Sequence, residues 1–279
     1  GGLGSGWIGR HLQAVNTGNT SPLRAVGMGS MLQASLRGPV SATVLKSIAD
    51  FHLNGRLQDV APMQMAITAM YVSPDNRNAD LKATGSDIDE TIQVLSKLDA
   101  TRYKPARGAA YPKTDFGMGM QQIAQLVKAE VGLEVACIDI GGWDTHANQG
   151  GPEGTLARLL QELAEGLAAF NTDIGDGMKR VTLVTMSEFG RRASENGSAG
   201  TDHGHANAMF ILGGGAVGGM VHGTWPGLSQ DKLYGPGDLA LTTDYRDVLS
   251  EVLAKRMGND KLAEVFPGYT PRPIGIVGK

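Results

Sequence analysis

The sequence predicts an α/β protein with a largely parallel central sheet and helices on both faces of that sheet. Three apolar runs, at residues 134–140, 181–186 and 208–212, have the length of buried strands. Leucines at helical spacing occupy residues 156–167, between the first two runs. The order strand, helix, strand at this spacing is typical of a parallel sheet covered by helices.

Before residue 114 the sequence predicts a mainly helical region. A short strand is predicted at residues 23–29, and Asn54-Gly55 is a turn signal. A helix rich in Met and Ala is predicted at residues 61–71. A second helix is predicted at residues 86–98, because Ser86-Asp87-Ile88-Asp89-Glu90 is a capping pattern that precedes an apolar stripe.

From residue 114 onward the pattern alternates between helix and strand. A helix is predicted at residues 115–131 before the first strand, and another at residues 244–257 with Thr243 or Asp244 as its N-cap. We therefore predict one domain over residues 1–279, in which residues 1–113 cover an α/β core formed by residues 114–279.

Composition limits the classes of partner. A net charge of −3 gives no electrostatic reason to expect nucleic acid or an anionic membrane as partner. No apolar run approaches the roughly 20 residues that a membrane helix needs, so no membrane span is expected. Cys137 is the single cysteine, which excludes an intrachain disulfide and a thiolate metal cluster. The oligomeric state is left open.

Polar residues that can bind a metal follow the first predicted strand. Gly141 and Gly142 allow a sharp turn, and Asp144 and His146 come next. Residues two apart in an extended segment point the same way, so this carboxylate and this imidazole can bind one cation. A turn-capping role for Asp144 and an ordinary hydrogen-bonded histidine remain alternatives.

Further candidate ligands follow the second strand. Glu188 stands at its end, and Asp202, His203 and His205 lie before the third strand. In open parallel sheets, ligands bind beyond the carboxyl ends of the strands. The six residues therefore predict a divalent-metal site for zinc, manganese, magnesium or calcium. A single-metal structural site that only ties the loops together is a further alternative.

Two other motifs are candidates for binding. Arg191 is a candidate to bind a phosphate or sulfate oxygen through its planar guanidinium, although Arg191 and Arg192 also suit a solvated loop pair. Residues 213–218 match the Gly-x-Gly-x-x-Gly spacing of dinucleotide sites. The segment that follows contains Gly223 and Pro226 and cannot begin a helix, so we interpret the motif as a turn.

Several phrases of the sequence resemble one bacterial family, the domain-of-unknown-function family DUF1501. They are GGWDTHANQ at residues 141–149, SEFGR at 187–191, TDHGHAN at 201–207, TDYRD at 243–247 and VFPG at 265–268. This family is grouped with the alkaline phosphatase and sulfatase clan. The resemblance implies an alkaline phosphatase-like fold with metals at the strand ends, and export to the periplasm or outside by the twin-arginine route.

The clan pattern assigns roles to some of these residues and leaves others vacant. By resemblance, Asp144 and His146 take the first ligand positions, and His203 or His205 takes the last. Where a phosphatase has an Asp-His pair, this chain has Glu188-Phe189, so one histidine is lost. The family phrase matched by GWIGR at residues 6–10 normally follows about a hundred residues. The N-terminal strand or strands and the nucleophile are therefore expected to be missing.

Two functions follow as hypotheses. The first is a metal-dependent hydrolase of phosphate or sulfate esters, acting on a small molecule or a glycan, or a fragment of such an enzyme. The second is a non-catalytic exported or cell-envelope protein that binds an anionic glycan or a partner on the same fold. The missing histidine and nucleophile favour the second, and shared fold alone does not establish chemistry.

Overall fold

The computed structural model describes residues 4–49, 51, 57–72, 79–96, 98 and 102–278. The chain divides into two compact units. The first contains residues 1–9 and 16–139, and the second contains residues 10–15 and 140–279. The helices are α1 (Trp7–Ala14), α2 (Leu57–Val72), α3 (Ala79–Ser96), α4 (Asp115–Lys128), α5 (Thr155–Ile174), α6 (Tyr245–Arg256) and α7 (Leu262–Val265). The strands are β1 (Ala25–Met28), β2 (Thr43–Leu45), β3 (Val135–Ile138), β4 (Thr182–Val184), β5 (Gly190–Arg191), β6 (His203–Gly204) and β7 (Ile211–Gly213).

A parallel sheet of three strands, in the order β2-β1-β3, forms the centre of the first unit. Val26 of β1 pairs with Thr43 of β2 on one side and with Ala136 of β3 on the other. All four residues of β1 are buried, as expected for a central strand with covered faces. The α/β class and a parallel sheet are confirmed, and two of the three strands come from the region before residue 114.

Helix α4 packs closely on this sheet. Thr114 caps it by accepting a hydrogen bond from the Gly117 backbone N–H at 3.2 Å. Gly119 faces the sheet, where a Cβ atom would lie 2.3 Å from Cδ1 of Ile138, so a larger residue would require the Ile138 side chain to shift. The predicted helix at residues 115–131 is confirmed and ends three residues earlier.

The helices α2 and α3 pack against each other in the first unit. Both were predicted, but the predicted start at Ser86 is wrong because α3 begins at Ala79. The residues upstream of Ser86 continue the helix, and Thr91 donates its hydroxyl to the Asp87 carbonyl at 2.6 Å within it. The predicted turn at Asn54-Gly55 lies outside the described residues.

The second unit contains two antiparallel strand pairs, β4 with β7 and β5 with β6. The antiparallel β4–β7 pair departs from the largely parallel sheet that the sequence predicts. A parallel pair needs a crossover connection, usually a helix. The residues between β4 and β7 form a loop and the short β5–β6 pair instead, and a loop suffices to join antiparallel strands.

The core of the second unit centres on α6. Asp244 is its N-cap, as predicted, and accepts a hydrogen bond from the Arg246 N–H at 2.8 Å. Val248 and Val252 pack with Ile276 and Val277 of the C-terminal segment, and partly buried residues of β4 and β7 cover this cluster. In the part of the chain that the structure describes, no helix is long and apolar enough to cross a membrane.

Glu251 anchors the C-terminal segment to α6. Its side chain is only 2% exposed and accepts hydrogen bonds from the Lys255 ammonium at 2.6 Å and from the backbone N–H groups of Ile274, Gly275 and Val277. Burial by itself would raise the pKa of Glu251. The Lys255 ammonium and the three N–H groups outweigh it and lower the pKa from 4.5 to about 2.

We expect Glu251→Gln to lower the free energy of unfolding at neutral pH by about 2 kcal/mol or more, because the charged partner of Lys255 and the N–H groups is lost. The folded-state pKa lies below the ordinary value, so this contribution is complete above pH 4.5 and disappears as the pH falls toward 2. Urea unfolding should show that the difference in unfolding free energy between Glu251→Gln and the wild type shrinks as the pH falls from 4.5 toward 2. Glu264→Gln, at an exposed position, is the matched control; a gap that stays constant with pH would contradict the assignment.

Candidate metal centre

Two loops of the second unit lie side by side. The first loop, residues 141–151, follows the end of β3, and the second loop, residues 187–207, lies between β4 and β7. Their backbones pair: the N–H groups of Asn148, Gln149 and Thr201 donate to the carbonyls of Ser198, Ala199 and Thr145 at 3.0, 2.9 and 3.3 Å. The two loops therefore satisfy part of each other's backbone hydrogen-bonding groups outside the named strands.

Within the second loop, β5 and β6 form a small antiparallel ladder. Gly190 pairs with Gly204, and Arg191 pairs with His203. The ladder turns the segment after β5 back on itself, so His203 and its neighbour Asp202 return to the level of Arg191. Arg191 and His203 are twelve residues apart in the chain, and the ladder is what brings them together.

Arg191 ties the two loops at this point. One Nη atom donates to the carbonyl of Thr201 in the second loop, and the other donates to the carbonyl of Trp143 in the first. Its side chain is 21% exposed, and its guanidinium carbon lies 4.8 Å from the centroid of the Phe189 ring. The planar fork of arginine suits two acceptors at once, so Arg191 positions the backbone on both sides of the candidate site.

Asp144, His146 and His203 form a cluster at the junction of the loops. The Nε2 atoms of His203 and His146 lie 2.7 and 3.0 Å from the same oxygen, Oδ1 of Asp144. One nitrogen or oxygen atom from each residue lies within 4.8 Å of the other two. The three side chains are about half exposed, so the cluster opens to solvent.

Ring contacts orient His203. Its imidazole stacks on Phe189 with the ring centroids 4.0 Å apart and the planes 15° from parallel. The His146 ring lies 4.7 Å away on a tilted plane. Stacking restricts the ring rotation of His203, which keeps its Nε2 directed at Asp144.

A second carboxylate, that of Asp202, contacts the other ring nitrogen of His146. Oδ1 of Asp202 lies 3.3 Å from Nδ1 of His146, on the opposite side of the ring from Asp144. The Asn196 amide donates to that Asp202 oxygen and also to the His146 carbonyl, both at 2.9 Å. Metal-binding histidines usually have their other nitrogen hydrogen-bonded to such a group, which sets the tautomer and the ring orientation.

Both carboxylates are held in the ionised form. The hydrogen bond from His203 lowers the pKa of Asp144 below its usual value, and the nearby charges of His146, His203 and Arg191 add to this effect against a smaller desolvation cost. Hydrogen bonds from Asn196 and then from His146 lower the pKa of Asp202. Asp144 is therefore a charged oxygen ligand at neutral pH.

This donor set fits a divalent cation. Two imidazole nitrogens and a carboxylate oxygen are ligands that zinc, manganese and related metals accept. The ligand atoms already face one another, and Asp202 supplies the outer support. Three of the six predicted ligands, Asp144, His146 and His203, thus meet at one point, and Asp202 takes the orienting position.

The other predicted residues lie outside this group. The Glu188 side chain is exposed and does not join the three ligand atoms. His205 points elsewhere, with its ring 4.7 Å from that of Tyr234. Arg192 lies beside Asp202, with Nη1 3.9 Å from Oδ2. Roles for Glu188 and His205 as ligands, and for Arg191 in binding an anion, stay predictions.

Sequence reasoning missed three contributors: Phe189, Asn196 and Gln149. Phe189 precedes Arg191 by two residues, so alternation along an extended segment could have placed both side chains on one face. Asn196 and Gln149 gave no comparable signal, because the bonds by which they join the two loops reach residues about 50 positions away.

Comparison with known proteins identifies the family. A family model described as "Protein of unknown function (DUF1501)" matches residues 2–267. The chain belongs to this family. The match covers nearly all of the 279 residues and confirms the resemblance drawn from the sequence phrases. No curated protein and no solved structure matches this DUF1501 chain.

We expect the protein to bind a divalent cation and Asp144→Ala to abolish that binding, measured by titration calorimetry with Zn²⁺ and with Mn²⁺. Asp202→Asn should weaken the affinity by about 10- to 100-fold, because His146 loses the charged group that orients its ring. Asp231→Asn, a matched change at a surface carboxylate on another loop, should leave the affinity unchanged. Equal affinities for all four proteins would rule out the site.

Proposed function

We propose that this chain is a metal-dependent hydrolase of phosphate or sulfate esters, exported to the periplasm or beyond, with an alkaline phosphatase-like fold. The observation that carries the proposal is the cluster of Asp144, His146 and His203, which presents three ligand atoms at a half-exposed position. Catalytic zinc sites have three protein ligands and leave a position for water or substrate, whereas structural sites are closed by four. The family's resemblance to the phosphatase and sulfatase clan supports the choice of ester.

A divalent cation held by Asp144, His146 and His203 would supply Lewis acidity for ester hydrolysis. The chain's own residues provide the rest. Asp144 would contribute an oxygen ligand, and His146 and His203 would each contribute an imidazole nitrogen. Asp202 and Asn196 hold the His146 ring in place. These groups set up the site before substrate arrives, which lowers the reorganisation needed during reaction.

Arg191 and Arg192 provide positive charge next to the cluster. An Nη atom of Arg191 lies 3.7 Å from Oδ1 of Asp144, and the Arg192 side chain is 38% exposed. Arg191 has two N–H groups committed to backbone carbonyls, so its contribution to an anionic ester is its field rather than a bidentate grip. Arg192 is better placed to reach a solvent-borne phosphate or sulfate oxygen.

A second candidate function is the non-catalytic binding of an anionic glycan on the same surface. The hydrogen-bond partners of three hydroxyl groups in the loops favour this function. Thr145 and Thr201 both donate to Gln149, and Ser187 donates to the Phe189 carbonyl at 2.7 Å. Each of these three hydroxyls donates to an amide or backbone oxygen and not to a carboxylate or histidine that could take its proton, so none of the three is activated as a nucleophile.

Turnover separates the two functions. Purified protein would be incubated with nitrophenyl phosphate, bis-nitrophenyl phosphate and nitrophenyl sulfate in the presence of Zn²⁺, Mn²⁺, Mg²⁺ or Ca²⁺. We expect hydrolysis of at least one ester, loss with a chelator, and recovery when the metal is restored.

His203→Ala should lower kcat/KM by about 100-fold or more, because a ligand of the Lewis acid is removed. His222→Ala is the matched control, since that exposed histidine bonds the Val217 carbonyl and lies outside the cluster. Absence of turnover with every ester and metal would reject the hydrolase and favour glycan binding.

A further inference from the structure

An open cleft adjoins the candidate metal centre and has no assigned role. It has a volume of about 450 Å³, within the range of small-molecule sites. Its lining comes from the same two loops that carry the cluster of Asp144, His146 and His203. The lining residues are Asn148, Gln149, Gly150, Gly151, Glu195, Ala199, Gly200 and Thr201. The cleft and the cluster are therefore parts of one structure.

The backbone contacts place the cleft directly behind His146. A Cβ atom at Gly200, in the cleft wall, would lie 2.3 Å from the carbonyl carbon of His146. Thr201 is the next residue, and Asp202 and His203 follow it in the chain. The cleft wall therefore lies against the backbone of one candidate ligand and one residue before Asp202 in the chain.

The chemistry of the lining selects against anions. It contains amides, one hydroxyl and glycine backbone, with Glu195 as its only charged side chain and no Lys, Arg or His among its residues. A phosphate or sulfate group would find no cationic partner there. The positive charges of Arg191 and Arg192 lie on the cluster instead, so the two parts of the site suit different parts of one substrate.

Gln149 is held as a hydrogen-bond donor in this lining. Its Oε1 accepts from the Thr145 hydroxyl at 2.9 Å and from the Thr201 hydroxyl at 2.7 Å. An amide oxygen has two lone pairs, so both are used. The Nε2 group has no partner among the described residues and remains available to a ligand oxygen.

Two lining residues have a positive φ, a backbone conformation that residues other than glycine rarely adopt. Asn148 has φ of 48° and Ala199 has φ of 56°, and they stand next to each other in the paired loops. Such conformations cost free energy and persist where the surrounding structure imposes them, often at ligand sites. Here they give the cleft wall its shape.

We propose that this cleft binds a neutral, hydroxyl-rich group, a sugar ring or polyol. That group would be the alcohol part of the ester, and the anionic part would lie at the cluster of Asp144, His146 and His203. Hydroxyl groups both donate and accept, which matches the amide donors and the Glu195 carboxylate acceptor of the lining. The placement of the ester rests on the proposed hydrolase function, whereas sugar binding rests on the cleft alone.

A plug variant tests the cleft without disturbing the ligands. Gly151 has open space where its Cβ would lie and does not adopt a left-handed conformation, so Gly151→Phe adds a ring at the cleft wall without strain. Gly218→Phe is the matched control, because Gly218 is equally open and lies on another loop. Asn148→Gly is a second variant, which removes a lining amide at a φ that glycine adopts readily.

Saturation-transfer NMR with glucose and mannitol as probes, and cyclohexanol as a probe poor in hydroxyls, measures binding without reference to activity. We expect saturation of both polyols by the wild type and by Gly218→Phe, with loss in Gly151→Phe. Asn148→Gly should weaken binding by about 3- to 10-fold, as expected for one or two lost hydrogen bonds. Circular dichroism checks folding, and Asn148→Gly decides the matter if the plug variant does not fold.

The kinetic arm compares glucose 6-phosphate with phenyl phosphate. Selective loss of glucose 6-phosphate hydrolysis in Gly151→Phe would support the cleft as the alcohol subsite. Polyol binding without any ester hydrolysis would uphold the cleft and reject the proposed function. Ester hydrolysis without polyol binding would reject the cleft and leave the proposed function standing, and polyol binding that persists undiminished in the plug variant would also reject it.

Discussion

The structure of the candidate site depends on the junction of two loops, and Arg191 is the contact that joins them. Its guanidinium donates to the Trp143 carbonyl of the first loop and to the Thr201 carbonyl of the second. Trp143 precedes Asp144 directly, and Thr201 lies two residues before His203. Ordering two long loops costs conformational entropy at every residue. The paired backbones and the Arg191 fork offset that cost, because they satisfy polar groups that a regular sheet would otherwise satisfy. The junction brings Asp144 of the first loop within reach of His203 of the second.

The junction also explains why the site is built in layers of polar contacts. Asp144 touches both imidazoles, Asp202 supports one of them, and Asn196 fixes Asp202 while bonding the first loop. Gln149 performs a similar task on the other side by accepting from a threonine of each loop. Each amide therefore bridges the loops and also orients a group of the site. Such networks specify a geometry well when every member has a partner.

The sequence predicted the local elements with fair accuracy. The helix at α4, the strand at β3 and the Asp244 cap of α6 follow from periodicity and capping chemistry, which act over a few residues. The predicted start of α3 was wrong because a capping pattern inside a longer helix looks the same as one at its end. The antiparallel pairing of β4 with β7 departs from the largely parallel sheet that the sequence predicts, because strand direction depends on the connection, which two apolar runs do not specify.

Family membership and the identity of the polar residues on the two loops can be read from the linear chain. Residue type and spacing are local properties, so Asp144, His146 and His203 are recognisable as candidate ligands from the amino-acid sequence alone. Which of the six candidates meet depends instead on the three-dimensional fold. The β5–β6 ladder folds His203 back to Asp144 and turns His205 toward Tyr234, and that outcome depends on contacts between residues some 60 positions apart in the chain.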